Sequence, residues 1–133
     1  MTGEQNSPQT IGFLLVPGFA LMSYAAAIEP LRAANLLSGK ELYRWWHAAP
    51  GGEPVMASNG VAIITDCGTD KDRTADMIYV CAGGNPATFD DRSVFGWLRR
   101  LARKGVAIGG ISGGPYIVAK AGLLDQRRAT LHW

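Results

Sequence analysis

Apolar positions fall in short unbroken runs that alternate with stretches of helical spacing. The run Ile11 to Val16 (IGFLLV) is stopped by Pro17-Gly18. It fits a strand buried on both faces of a parallel sheet. Leu21, Tyr24, Ala25, Ile28 and Leu31 then recur at helical spacing and predict a helix over 21–37. Pro30 lies inside that segment, where it removes a backbone donor and crowds the preceding turn. A kink or a restart is expected, with Pro30 in the first turn of a second piece. Ser38-Gly39 closes the helix. A second strand is read over 42–49. A short strand pair, Val55-Met56 and Val61 to Ile64, flanks the hairpin-type turn Asn59-Gly60. Residues 65–75 are polar and read as a loop or a short helix. Met77 to Ala82 (MIYVCA) is another buried strand, ended by Gly83-Gly84. Val94, Trp97, Leu98 and Leu101 mark one face of a helix over 90–104. Arg99, Arg100, Arg103 and Lys104 lie off that face near its C-terminal end, where the helix dipole favours cations. A strand over 106–111 and a short helix over 113–121 follow.

Apolar strands alternating with helices imply βαβ units around a mostly parallel sheet. The 133 residues suit one domain, read as a flexible tail over 1–10 and a folded unit over 11–133. Thirteen Lys and Arg face eleven Asp and Glu, an excess too small to argue for nucleic acid or membrane binding. The polar start is unlike a signal peptide, and no apolar run is long enough to span a bilayer. A soluble cytoplasmic protein is expected. Cys67 and Cys81 have no Cys or His at metal-ligand spacing, and Cys81 sits in a buried strand. They read as free thiols, with no metal and no cofactor implied.

In open parallel sheets ligands gather at the carboxyl ends of the strands. Three segments fall there: Pro17-Gly18-Phe19, Gly83-Gly84-Asn85 and Gly110-Ile111-Ser112-Gly113-Gly114. The last matches the G-x-S-x-G pattern, in which small residues allow a sharp strand-to-helix turn that lifts the serine into the open. It fits a nucleophile elbow, and more readily a structural tight turn. A nucleophilic serine needs a base. His47 follows Trp45-Trp46 in a strand and reads as packed or superficial; His132 is the other candidate base for Ser112. Asp125 is an orienting acid by composition only. Gly83 and Gly84 leave backbone N–H groups open to a ligand, or simply make a turn. Glu29 is an exposed helix charge or a group reaching into the site. The four tryptophans read as core or interface residues.

Five stretches occur here in one order: Ile11 to Gly18, Glu29-Pro30-Leu31-Arg32-Ala33-Ala34-Asn35, Cys81-Ala82-Gly83-Gly84, Ala121-Gly122-Leu123-Leu124 and Arg127 to Trp133. Together they resemble the N-terminal domain of AraC-type transcription regulators of the arginine-regulator branch. That domain is built like class I glutamine amidotransferases and the PfpI-like proteases. Enzymes of that superfamily carry a cysteine where Ser112 stands. An acid on the first helix would fall near Ser23, and the proteases' histidine would fall at Gly113.

The resemblance implies a non-enzymatic sensor domain that binds a small amino-acid-like or quaternary-amine effector. It implies a three-layer α/β sandwich of flavodoxin-like type with a mostly parallel sheet, incomplete at its C-terminal end, a homodimer, and contact with DNA only through helix-turn-helix motifs beyond Trp133. The ligand-binding residues read from the strand ends are Gly83, Gly84, Asn85, Ser112, Gly113 and His132, with Glu29 as an outside candidate. A carboxylate is expected at the open N–H groups and the start of the last helix. One rival is a PfpI-like or serine-type hydrolase using Ser112 and His132. Another is an oligomerising domain with a relic pocket.

Overall fold

A computed structural model describes residues 7–131. Four parallel strands form the central sheet in the order β2-β1-β5-β6. They are β1 (Gln9–Leu15), β2 (Tyr43–Ala48), β5 (Met77–Ala82) and β6 (Ala107–Ser112). Between β2 and β5 the chain makes an antiparallel hairpin of β3 (Val55–Met56) and β4 (Ala62–Ile63), as the Asn59-Gly60 turn predicts. Helix α1 (Leu21–Ser38) covers one face of the sheet; α2 (Arg92–Arg103) and α3 (Gly114–Lys120) cover the other.

The alternation of side chains along each strand divides the core in two. Ile11, Phe13 and Leu15 point to Tyr24 of α1, while Leu14, Ile78 and Val80 point to Val94, Trp97, Leu98 and Ile117. Full burial of each such side chain stabilises the fold by about 1.5–3 kcal/mol. Gly12 is a packing requirement on the second face, since a Cβ there would lie 2.7 Å from the Trp46 ring. Trp46 meets Trp97 edge to face at 6.3 Å between ring centres. Each indole N–H donates to a loop carbonyl, Thr74 and Lys71 respectively, both at 3.0 Å. These two tryptophans are therefore core residues with their one polar group satisfied.

Several boundaries differ from expectation. β1 starts at Gln9, so Gln9 and Thr10, read as the end of a tail, belong to the sheet. Thr10 N–H donates to Asp76 Oδ2 at 2.8 Å. α1 runs unbroken through Pro30 rather than restarting there. Pro30 and Ala26 both face solvent, so water can satisfy the Ala26 carbonyl that lost its donor. Residues 65–75 form loop without helix. A 3-10 turn at Pro86–Thr88 went unforeseen; Asn85 caps it by accepting a hydrogen bond from Ala87 N–H at 3.2 Å. α2 begins behind an Asp91 cap that accepts from Ser93 and Val94 N–H.

Candidate functional site

The order β2-β1-β5-β6 places a topological switch between β1 and β5. From β1 the chain passes through α1 to β2 on one side, and later returns to β5 on the other. Such a switch opens a crevice at the carboxyl ends of the strands. A cavity of about 400 Å3 lies there. Ala20 lines it from the turn before α1. Gly83, Gly84 and Asn85 line it from the end of β5, and Pro86 and Ala87 from the 3-10 turn. Ser112, Gly113 and Tyr116 complete it from the elbow and α3.

The elbow is built by the two glycines of the G-x-S-x-G pattern. A Cβ on Gly114 would collide with the Val80 carbonyl oxygen, and one on Gly110 with the Pro115 nitrogen. Their absence lets α3 fold tightly back against β5. Ser112 takes up the turn with φ of 57° and remains exposed. A left-handed backbone at a non-glycine residue costs about 1–2 kcal/mol, a strain found often at ligand sites. Gly83 is likewise a close-approach position, because a Cβ would lie 2.8 Å from Ala20 N. α3 spans only seven residues, so little of the expected helix dipole develops.

Five of the seven residues singled out as ligand-binding thus meet at one cavity: Gly83, Gly84, Asn85, Ser112 and Gly113. Glu29 is elsewhere. It lies on the outer side of α1, half exposed, paired to Arg32 at 2.7 Å, and that bond lowers its carboxyl pKa. His132 lies outside the described residues. Ser23 faces a groove between α1 and the sheet, beside Tyr79 and Ile111, and does not line the cavity.

Sequence reasoning missed Ala20, Pro86, Ala87 and Tyr116. Tyr116 had a signal, since it lies one helical turn beyond Ser112; the 3-10 turn had none beyond Pro86.

The nucleophile chemistry is incomplete among the described residues. Ser112 Oγ makes no hydrogen bond to any of them. His47 is on β2 and Ser112 at the end of β6, the two edges of the sheet. Three strand spacings of about 4.8 Å separate those edges by roughly 14 Å. His47 is committed instead to a polar cluster under α1. Its Nε2 lies 2.6 Å from the Tyr24 hydroxyl and its Nδ1 3.8 Å from Asp66 Oδ2, with Phe13 stacked on the ring. Burial lowers the imidazole pKa, against the pull of Asp66. Burial also pushes the Tyr24 hydroxyl up to about 12. Cys67 and Cys81 are free thiols, as expected. Burial raises the Cys81 pKa to about 12, so it supplies no thiolate near neutral pH.

The described residues that line the cavity are uncharged. Lys120 stands one turn beyond Tyr116 and clamps the wall from outside, its ammonium donating to Phe89 O at 2.8 Å and Ala87 O at 3.3 Å. No group of acidic, His or Cys side chains able to hold a metal occurs among the described residues. No helix among them is long and apolar enough to cross a membrane.

The sequence is similar over nearly all its length to bacterial transcription regulators. It is 48% identical to the HTH-type transcriptional regulator GlxA of Rhizobium meliloti, covering 99% of this chain and 41% of that protein. It is 45% identical to the HTH-type transcriptional regulator CdhR of Pseudomonas aeruginosa, covering 94% and 37%. The chain therefore spans about two fifths of the length of the curated relatives it matches. In fold it resembles an AraC family transcriptional regulator from Pseudomonas putida, with a TM-score of 0.79 at 23% identity, covering 94% of this chain and 67% of that one. The DJ-1/PfpI family model matches residues 9–133. With its parallel sheet, its glycine-built elbow and this match, the chain belongs to the DJ-1/PfpI family.

Proposed function

We propose that this chain is the effector-sensing part of an AraC-type transcription regulator. It binds a small amino-acid-like or quaternary-amine metabolite in the cavity at the ends of β5 and β6. DNA is contacted by helix-turn-helix motifs elsewhere in the full-length protein, which acts as a homodimer in the cytoplasm. The observation that carries this reading is an elbow that presents a serine where, among the described residues, no charged or basic group stands. Ser112 is lifted into an uncharged cavity with no base beside it among the described residues. A serine without an activating base is a weak nucleophile, whereas the same crevice serves binding. The similarity to regulators points the same way.

The test is a thermal-shift and calorimetry screen of amino acids and trimethylammonium compounds on the full-length protein. A ligand in large excess over its dissociation constant raises the melting temperature by mass action. Gly84→Val should then abolish the response. A Cβ added at Gly84 meets no atom within 4 Å, but the backbone there has φ of 58°, which strains any side chain, so the variant's melting temperature is read alongside. Peptidase, amidase and esterase assays should stay at background. The exposed, strained Ser112 is the feature that favours the rival hydrolase reading with His132 as base; turnover abolished by Ser112→Ala would establish that reading instead.

A further inference from the structure

The side chain of Asn85 is oriented by the protein itself. Its Oδ1 accepts a hydrogen bond from Ala87 N–H at 3.2 Å, and its backbone carbonyl accepts from the Thr88 hydroxyl at 2.9 Å. Lys120 holds the next carbonyls of the same wall, Ala87 O and Phe89 O. The reverse amide orientation would set an NH2 group against the Ala87 N–H, donor facing donor. The bond therefore fixes which end of the amide is the oxygen. Among the described residues the Nδ2 amino group makes no hydrogen bond, and Asn85 lines the cavity. Of its two polar ends, the one left unpaired among those residues is the donor Nδ2.

The surrounding wall adds backbone donors. Gly83 and Gly84 N–H have no acceptor among the described residues. Among the described residues the lining contains no carboxylate that would repel an anion or pair with a cation. The positive charge of Lys120 stands behind the turn. The Ser112 and Tyr116 hydroxyls of the same lining can donate or accept, so a group bearing only acceptors can find donors along the whole wall, and a carboxylate is the acceptor-only group that gains most from charge-assisted bonds.

The geometry points to Asn85 as the specificity-determining residue of the cavity, donating through Nδ2 to a carboxylate of the effector. This rests on the sensor reading above and names the part of the ligand read at this wall.

The substitution Asn85→Asp isolates the claim. Aspartate caps a turn as well as asparagine does, so the bond from Ala87 N–H survives. The freed group becomes a negatively charged acceptor. Two ligand pairs differing in the carboxylate serve as probes on the full-length protein: glycine betaine against choline, and L-arginine against agmatine. The wild-type protein is expected to bind the carboxylate-bearing member of at least one pair in preference to its partner. Asn85→Asp should weaken that member by about tenfold or more while leaving the melting temperature of the unliganded protein near the wild-type value. Should Asn85→Asp fail to fold, Asn85→Ser replaces it, keeping an oxygen for Ala87 N–H without the amide donor. Unchanged affinity in the folded variant overturns the inference, and so does equal loss of both members of a pair. A wild type that binds choline or agmatine as well as the acid overturns it too, while leaving the sensor reading standing. A wild type that binds none of the four overturns the sensor reading for these ligands, and the inference with it.

Discussion

Replacing Gly114 with alanine should destabilise the protein severely, whereas the same replacement at Gly96 should stabilise it. Both glycines lie in helices, at the first residue of α3 and in the middle of α2. On intrinsic propensity alone alanine is preferred in a helix interior by about 0.8–1 kcal/mol. At Gly96 nothing opposes that gain, because the new Cβ meets only the mobile Arg100 Nη1 at 3.5 Å. At Gly114 the Cβ would overlap the Val80 carbonyl oxygen and lie 2.8 Å from its carbonyl carbon. These are backbone atoms of an inner strand and cannot rotate away. Relief requires α3 to move off β5, which loosens Ile117 and Val118, exposed by 0% and 2%. Overpacking in a core costs about 1–3 kcal/mol and occasionally more. A clash with fixed backbone falls at or above the upper end, so a net loss of about 3 kcal/mol is expected. Urea unfolding followed by circular dichroism reads both variants, with the midpoint moving at constant slope. Gly114→Ala within about 0.5 kcal/mol of wild type, the ordinary scatter of surface changes, would refute the packing account of the elbow.

Tyr24→Phe deletes the hydroxyl bonded to His47 Nε2 at 2.6 Å, and a loss of about 1 kcal/mol is expected in the same unfolding assay; no loss would show that the bond is not maintained. Burial holds the His47 pKa below its usual 6.5. The folded state then binds fewer protons than the unfolded one, so this part of the stability is complete above that unfolded value and is lost as pH falls through it towards the folded one. His47→Gln should accordingly flatten the fall in melting temperature between about pH 7 and about pH 5, and an unaltered slope would count against it. Lys120→Met should speed amide hydrogen exchange at Thr88 and Phe89, whose N–H groups close the 3-10 turn, with little change in global stability. Unchanged exchange there would mean that the clamp does not hold the wall.

The strands and helices were legible because burial imposes a period. IGFLLV and MIYVCA are apolar without alternation since both faces of β1 and β5 are covered, one by α1 and the other by α2 and α3. The tail boundary was misplaced because Gln9 and Thr10 join the sheet by backbone pairing and the Asp76 carboxylate, which leave no apolar mark. Pro30 misled for a related reason. The cost of a proline inside a helix depends on whether the orphaned carbonyl reaches water, and that is a property of the face, not of the residue.

The cavity was legible where glycine had to be glycine. Gly83, Gly110 and Gly114 each stand where a Cβ would strike backbone, so the pattern that suggested an elbow is the pattern its sterics demand. What the sequence could not reveal was polarity. Glu29 was a candidate because a carboxylate beside an apolar run invites a role. Whether it turns inward depends on the rotation of α1, which buries Tyr24 against the sheet and sends Glu29 to Arg32. Asn85 bears both a donor and an acceptor in the sequence. Only the fold shows which is paired, because the acceptor bonds an amide two residues on, in a turn with no periodic signature. The positions of the cavity thus follow from steric rules readable residue by residue. Its chemistry follows from hydrogen bonds that exist only once the strand ends, the 3-10 turn and α3 are brought together.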